Sequence, residues 1–524
     1  MANVKSNDIK PSPPKEIATV DVEDGELKSL NISKVDEAEI FLREHDYDWG
    51  QVETLLSDKA KLGKLIRKVD WIIMPLLCGT YCLQYIDKQA LSYSAVFDLL
   101  DETNLTGDEY SWLGSIFYFG YLFWEYPASY IAQRFKMGKF ISLVVVLWGA
   151  VLMLTAAAHD FAGLAACRFF LGCLEAPITP CFMLIVGAWY SRQGQPARAG
   201  LFYCFNGVGA MIGGVLTYGI GQVDNFPVYQ AIYLVTGGLT VLWGILLFWR
   251  LPDHVLTTKL FTTEEKLMIV GIGKRNQTGF YNHHIKLYQI KEVFMDLQVW
   301  ICFLFATINE LVNGGIANFG KLIIKGMVND PLKTVALGIP QGAFTLVYVS
   351  TGPWLATKYK NARCYIMALY LIPSIIGSGI LWKLPQSNEI GRLFGYYITS
   401  SYVGSLVIVL QMPACNLRGY TKRVTGTAFV FLGYCLGNII GPHAFLSSEA
   451  PYYQTGCEMM MACAICELGL AVMLRVLLVR RNRIRDRKRA EMESNGEKGG
   501  EEEGGRETLL DQTDFEDVNF RYQY

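Results

Sequence analysis

The chain has 524 residues, of which 52% are hydrophobic and 18% charged, and its formal net charge is −1. A soluble chain of this length would distribute its charges over several domains, whereas here they fall in short islands between long apolar runs. Because about 20 apolar residues in a helix span the ~30 Å hydrocarbon core of a bilayer, the pattern excludes an ordinary soluble protein.

Twelve apolar runs have the length of membrane-spanning helices. They lie near residues 71–93, 111–131, 140–158, 162–188, 199–220, 229–249, 298–318, 335–356, 364–382, 392–412, 425–446 and 459–479. The predicted fold class is therefore an all-α membrane protein with twelve transmembrane helices in two six-helix halves. Residues 1–60 are polar, so no cleavable signal peptide is expected.

A polar segment at residues 251–297 divides the chain into a half at 71–250 and a half at 298–480. We expect residues 1–70 and 481–524 to be cytoplasmic tails. A basic turn follows the second span of each half, at 134–139 and 358–363. Such a repeat is typical of transporters that arose by duplication.

The loops on one side of the predicted membrane are basic, and the first loop on the other side, "FDLLDETNLTGDEY", is acidic. By the positive-inside rule, both termini are cytoplasmic. The exception is the predicted loop after span 7, which holds Lys321, Lys325 and Lys333. The basic run at 480–489 is interpreted as a topology signal beside anionic lipid, and nothing favours nucleic acid as a partner.

The sequence offers no metal or cofactor site. Cys463 and Cys466 form a CxxC pair, but they lie on an apolar helix without nearby histidine or acidic ligands. We interpret them as small residues of the helix surface or core and expect neither a metal nor a cofactor.

Charged side chains inside predicted spans are costly, at about 2.5–3.5 kcal/mol each, and usually face a cavity or a partner. Span 1 contains Asp87 beside Lys88. Adjacent helical residues point about 100° apart, so the two cannot both face lipid. An acid can exchange protons, and a cation next to it can bind an anionic ligand. The two residues together form a plausible unit for coupling protons to an anion.

Span 4 contains Arg168 and Glu175, two helical turns apart on one face. The axial separation of roughly 10 Å is too long for a simple salt bridge. Each side chain therefore needs a partner from another helix or from a substrate. A structural ion pair with a neighbouring helix is the alternative for both residues.

Other polar residues in the spans have weaker predicted roles. Glu310 lies in "INELVNGGIANFG" in span 7, where functional and structural interpretations are equally open. Candidate hydrogen-bonding groups for a substrate are Asn206, Asn313, Tyr396 and Tyr397, and candidate gating contacts are Glu125, Arg134 and Lys139.

The two-half pattern, with "QRFKMGK" (133–139) and "RFFLGCLEAPITP" (168–180), resembles the major facilitator superfamily. Further motifs resemble the fungal allantoate permease branch of its anion:cation symporter family. They are "QYIDKQALSYSAVF" (84–97), "WEYPASYIAQRF" (124–135), "NLRGYTKRVTGTAFVFLGYCLGNIIGPHAF" (416–445) and "APYYQTG" (450–456). The resemblance covers about residues 60–480.

The resemblance implies roles for these charges. Bacterial sugar-acid symporters of this family use an acid and an arginine in helix 1, which match Asp87 and Lys88, and an Arg-x6-Glu in helix 4, which matches Arg168 and Glu175. Asp87 and Glu175 would then couple protons, while Lys88 would hold the substrate carboxylate. Lysine lacks the planar fork of arginine, which indicates a different substrate.

The sequence thus predicts a monomeric, proton-coupled importer of a small organic anion, such as a ureide or vitamin-like carboxylate. A fungal-type plasma membrane is expected, with an internal membrane as the alternative. A nutrient sensor with the same fold is a second hypothesis. An enzyme is not expected, because no nucleophile elbow, phosphate loop or metal spacing occurs in the sequence.

Overall fold

The computed structural model describes residues 47–132, 134–191, 193–223, 225–275, 286–494, 512–517 and 519–524. Their regular secondary structure is entirely helical. The predicted N-terminal tail, central segment and C-terminal tail each lie partly outside the described residues.

Twelve long helices, numbered α1 to α12 in chain order, form the body of the protein. They are α1 Lys59–Val96, α2 Gly107–Ala132, α3 Met137–Thr155, α4 Phe161–Trp189, α5 Gln195–Ile220, α6 Val228–Arg250, α7 Leu297–Val328, α8 Pro331–Lys358, α9 Arg363–Lys383, α10 Glu389–Asn416, α11 Tyr420–Ile440 and α12 Gln454–Ser494. By length and composition, eleven of them can cross a membrane. The other, α2, has 26 residues rich in tyrosine and tryptophan, which hydropathy scales score low. The predicted fold class is confirmed.

Two helices are much longer than their apolar runs: α1 is extended at its beginning, where a polar residue caps it, and α7 is extended at its end. The Asp58 side chain accepts hydrogen bonds from two backbone N–H groups in the first turn of α1, at 2.9 and 3.1 Å. Asp296 caps α7 in the same way, at 3.0 Å. Helix α7 continues ten residues beyond the predicted span, so Lys321 and Lys325 belong to it, and Lys333 belongs to α8. The prediction of a loop that holds these three lysines is wrong.

Two helices are interrupted near mid-length. Helix α4 consists of Phe161–Glu175 and Ile178–Trp189, with Pro177 at the junction. Proline removes a backbone donor and clashes with the preceding turn, which explains the break. Helix α10 consists of Glu389–Thr399 and Tyr402–Asn416. Glu175 is therefore the last residue of a helical segment.

Glycines allow the closest helix contacts within each half. A Cβ on Gly172 of α4 would lie 1.9 Å from the Phe117 carbonyl oxygen of α2. A Cβ on Gly437 of α11 would lie 2.3 Å from the Thr307 carbonyl oxygen of α7. Small residues of this kind let membrane helices approach closely where lipid supplies no hydrophobic driving force between them.

Helices α1–α6, the N half, meet helices α7–α12, the C half, along α5 and α8. A Cβ on Gly342 of α8 would lie 2.7 Å from the Gly207 carbonyl oxygen of α5. We call the end of the bundle where α1 begins and α12 ends the terminal end, and the opposite one the far end.

The two halves are joined by hydrogen bonds at the far end. Ser92 of α1 and Tyr110 of α2 both donate to the Asn318 carbonyl oxygen of α7, at 2.9 and 2.8 Å. Ser115 of α2 donates to the Ile439 carbonyl oxygen of α11 at 2.6 Å. These contacts close the far end in this conformation.

Two ion pairs at the terminal end join elements of the N half to each other and to the segment that follows it. Arg198 of α5 pairs with Asp70 of α1 at 2.7 Å. Lys68 of α1 pairs at 2.6 Å with Glu265, in a short helix at Thr263–Arg275 that follows the N half. These pairs therefore stabilise the N half itself rather than its contact with the C half.

The last residues of the chain, 512–517 and 519–524, which we call the C-terminal strap, bind the terminal end of the C half. Asn416 and Gln523 exchange two hydrogen bonds of 2.8 Å, and Asn482 and Tyr522 exchange two of 2.9 and 3.0 Å. Burial, and then the nearby Asp514 carboxylate, raise the pKa of the Tyr522 phenol. The protonated phenol donates to Asp514 at 2.7 Å. The predicted tail thus includes a packed segment.

Candidate functional site

A cavity lies between the two halves, on the terminal-end side of the contacts that close the far end. Its volume is about 170 Å³. Its walls come from α1, α2, α4 and α5 of the N half and α7, α8, α10 and α11 of the C half. Five predicted site residues line it: Lys88, Glu175, Asn206, Glu310 and Asn313.

Lys88 and Asp87 point in different directions from α1, as their helical spacing predicted. The Lys88 ammonium lies 5.1 Å from the centre of the Tyr118 ring and lines the cavity. Asp87 is absent from the cavity wall and accepts a 2.8 Å hydrogen bond from Thr240 of α6. Its other carboxylate oxygen is buried without a hydrogen-bond partner among the described residues.

Glu175 presents its carboxylate to the cavity from the end of the first segment of α4. The amide of Gln84, on α1, donates to it at 3.2 Å. Neither Glu175 nor Lys88 has an ion-pair partner within 4.0 Å in the described part of the chain. The alternative of a structural ion pair for Glu175 therefore has no partner in this conformation.

Glu310 belongs to a polar network between α7 and α11. Asn313 and Asn438 both donate to the same Glu310 carboxylate oxygen, at 2.7 and 2.5 Å. The two amides are also joined to each other at 3.0 Å, and Tyr402 of α10 donates to Asn313 at 3.1 Å. The second Glu310 oxygen is buried without a partner among the described residues.

Three other predicted substrate contacts lie outside the cavity wall. Arg168 is buried, and two of its guanidinium nitrogens have no hydrogen-bond partner among the described residues. Tyr396 donates at 2.6 Å to Gln341, which does line the cavity. Tyr397 donates to the Leu337 carbonyl oxygen at 2.6 Å. None of the three lines the cavity in this conformation, so their role in substrate binding stays a prediction.

The three predicted gating residues are all in the N half. The Arg134 guanidinium contacts the Tyr130 hydroxyl and lies 4.4 Å from the centre of that ring. Lys139 lies 5.6 Å from the centre of the Phe248 ring of α6. Glu125 is partly buried near the terminal end of α2. Gating by these residues stays a prediction.

Sequence reasoning missed most of the neutral polar groups around these charges. The cavity is also lined by Gln84, Gln89, Gln341 and Tyr402. Asn438, which does not line it, donates a hydrogen bond to Glu310. The available signal was an amide inside an apolar helix, as in "LGNIIG" around Asn438. Each such group is costly in lipid unless it has a partner.

Several fungal transporters are similar to this chain over nearly its whole length. The allantoate permease of Saccharomyces cerevisiae is 31% identical, over 99% of this chain and 95% of that protein. The thiamine pathway transporter of the same yeast is 32% identical, over 95% of each. An uncharacterised transporter of Schizosaccharomyces pombe is 32% identical, over 99% of each.

Solved transporter structures share the fold. A bacterial homologue of the human lysosomal transporter Spinster, in an inward-facing unoccupied conformation, superposes with a TM-score of 0.57 at 15% identity, covering 78% of this chain and 96% of that one. The fucose:proton symporter of E. coli superposes with a TM-score of 0.51 at 14% identity, covering 76% and 98%.

These relatives confirm the predictions of a multi-pass membrane transporter and of a protein that is not an enzyme. Residues 77–442 match the model of the Major Facilitator Superfamily. The chain therefore belongs to the major facilitator superfamily, in the branch that includes the fungal allantoate permease.

Proposed function

We propose that the protein imports a small organic anion together with protons. The observation that carries the proposal is the Lys88 ammonium, which lines the cavity without an ion-pair partner among the described residues while Glu175 and Glu310 line the same cavity. Because an unpaired cation in a membrane protein is costly, its presence in the cavity favours an anionic ligand.

The three charges can couple the anion to protons by simple electrostatics. With both acids ionised, the cavity carries a formal charge of −1 and repels an anion. One bound proton makes it neutral, and two make it +1, which attracts a carboxylate to Lys88. We infer that Glu175 and Glu310 exchange these protons. Asp87 stays a further candidate for proton exchange, although it binds Thr240 and does not line the cavity.

Transport would then require that the two ends of the bundle open and close in alternation. This conformation is joined at the far end through Asn318 and Ile439. Breaking those contacts and closing the terminal end would expose the same cavity to the opposite side of the membrane. The basic loops favour a cytoplasmic terminal end. Uptake from outside across a plasma membrane would therefore enter through the far end.

The neutral groups around Lys88 favour a substrate rich in amide-like donors and acceptors. Side-chain amides of Gln84, Gln89, Asn206 and Gln341 line the cavity. A ureide carboxylate such as allantoate has a negative charge for the ammonium and urea groups that pair with amides. The similarity to the allantoate permease supports this class, and vitamin-like carboxylates are the alternative.

The first experiment is uptake of radiolabelled allantoate, ureidosuccinate, nicotinate and pantothenate by cells that express the chain. We expect accumulation that rises at acid external pH and collapses with a protonophore. If none accumulates while the protein is at the surface, the proposal fails. A substrate-induced signal without uptake would instead favour the nutrient sensor.

The second experiment assigns the proton-coupling residue. We expect E175Q to abolish pH-driven accumulation while preserving exchange of labelled for unlabelled substrate. E467Q is the matched control, because Glu467 is also fully buried and bound by an amide, that of Asn309 at 2.8 Å, but does not line the cavity. Full pH-driven accumulation by E175Q would show that Glu175 does not carry the coupled proton.

A further inference from the structure

Lys321 is a buried cation just beyond the cavity that the mechanism above does not use. Its side chain is 4% exposed, one helical turn along α7 from Ala317 of the cavity wall. The ammonium donates to the Gln341 side-chain oxygen at 3.1 Å and contacts the Gly338 carbonyl oxygen at 3.4 Å. It also lies 5.4 Å from the centre of the Tyr93 ring.

All of these partners are neutral. Among the described residues, no carboxylate lies within 4.0 Å of the Lys321 ammonium. Gly338 leaves space for the ammonium, because a Cβ there would lie 2.7 Å from it. A buried lysine without a counter-charge is costly, so its presence here points to an anion that pairs with it in another state.

The site lies on the boundary between the two halves, next to the contacts that close the far end. Tyr93 belongs to the N half, whereas Lys321, Gln341 and Gly338 belong to the C half. The residue before Tyr93 donates one of the hydrogen bonds that close the far end. Separating the halves there would withdraw the Tyr93 ring and expose the ammonium to the entrance, with Gln341 leading from it into the cavity.

We propose that Lys321 is the entry site for the substrate anion, which binds there before it reaches Lys88. The proposal rests on the proposed function and adds a residue and a selectivity step to it. Lys321 attracts the carboxylate in the state open at the far end, and Gln341, which already binds both Lys321 and Tyr396, passes it to the cavity. A neutral analogue gains nothing from this site.

The test compares full-length K321M and K321Q with wild type in the uptake assay above. K325M is the matched control, because Lys325 lies one turn farther along α7 and is only partly buried. We expect both Lys321 variants to raise KM about ten-fold, as for loss of one charge-assisted hydrogen bond, with Vmax per surface molecule retained. Competition by the unlabelled acid should weaken to the same extent, and competition by its neutral amide should not change.

The outcomes separate the two proposals. If wild type accumulates none of the four acids, both fail. If it accumulates one, and K321Q keeps the wild-type KM, only the entry site fails. If Lys321 has only a structural role, competition by the acid and competition by the amide should weaken equally. That result would also overturn the entry site. K321Q keeps a donor for Gln341, so it supplies the result if K321M does not reach the surface.

Discussion

The C-terminal strap should stabilise the C half chiefly through one buried ion pair. Asp514 of the strap lies 2.7 Å from the ammonium of Lys422 on α11, and both side chains are fully buried. The Lys422 ammonium also lies 3.2 Å from Glu292 and 3.8 Å from Asp296. Replacing Asp514 with Asn removes one charge from this cluster and keeps the side-chain size.

The expected loss is about 2 kcal/mol of unfolding free energy. A hydrogen bond to a charged group contributes about 1.5–3 kcal/mol. Leaving a buried charge without any partner costs more, about 3–5 kcal/mol, but Glu292 and Asp296 remain beside Lys422 in D514N. For a unit of the size of the C half, 2 kcal/mol corresponds to a fall in Tm of about 4–8 °C.

Thermal unfolding of the purified full-length protein in detergent, followed by tryptophan fluorescence, measures this loss. D517N is the control, because Asp517 pairs with the partly exposed Arg418 and a pair of that kind contributes about 1 kcal/mol or less. A chain that ends at residue 511 should lose at least as much as D514N. Equal Tm values for D514N and wild type, or a larger fall in D517N, would refute this account of the strap.

Two further predictions concern the contacts between the halves. S115A removes the hydrogen bond to Ile439, worth about 1 kcal/mol, so hydrogen exchange at the far end of α11 should speed up about five-fold. S94A removes a buried hydroxyl that has no partner among the described residues, so it should leave this exchange rate unchanged. Equal exchange rates in wild type, S115A and S94A would contradict the far-end closure. G342A places a Cβ against α5, so it should lower the free energy of unfolding by about 1–3 kcal/mol and slow transport. A Cβ on Gly187 would have no atom within 4 Å, so G187A should change neither stability nor transport. Normal uptake by G342A would contradict the close α5–α8 contact.

The membrane helices were predictable from the long apolar runs of the sequence, but their ends were not. Span 7 was expected at 298–318, whereas α7 continues to Val328. The extension contains Lys321 and Lys325, and a hydropathy run stops at such charges. The helix continues because the chain packs Lys321 among neutral polar groups of other helices, which no local pattern reveals.

The charges of the site were also predictable from local sequence, and their partners were not. A charge within an apolar run is conspicuous, so Lys88, Glu175 and Glu310 were identified. Asn438, which supports Glu310, lies 128 residues farther along the chain. The pairing exists because glycines bring α7 and α11 together, and that contact depends on tertiary packing rather than on either helix alone.

Burial alone does not identify the lysines that can serve a substrate. Lys422 is fully buried, yet three carboxylates lie within 4.0 Å of its ammonium, so its charge is satisfied by the protein. Lys88 and Lys321 have no such partner among the described residues and lie at the cavity and just beyond it. An anion can therefore lower the energy of the protein at these two lysines, whereas at Lys422 it would have to displace a carboxylate. This difference favours Lys88 and Lys321 as successive contacts of one substrate.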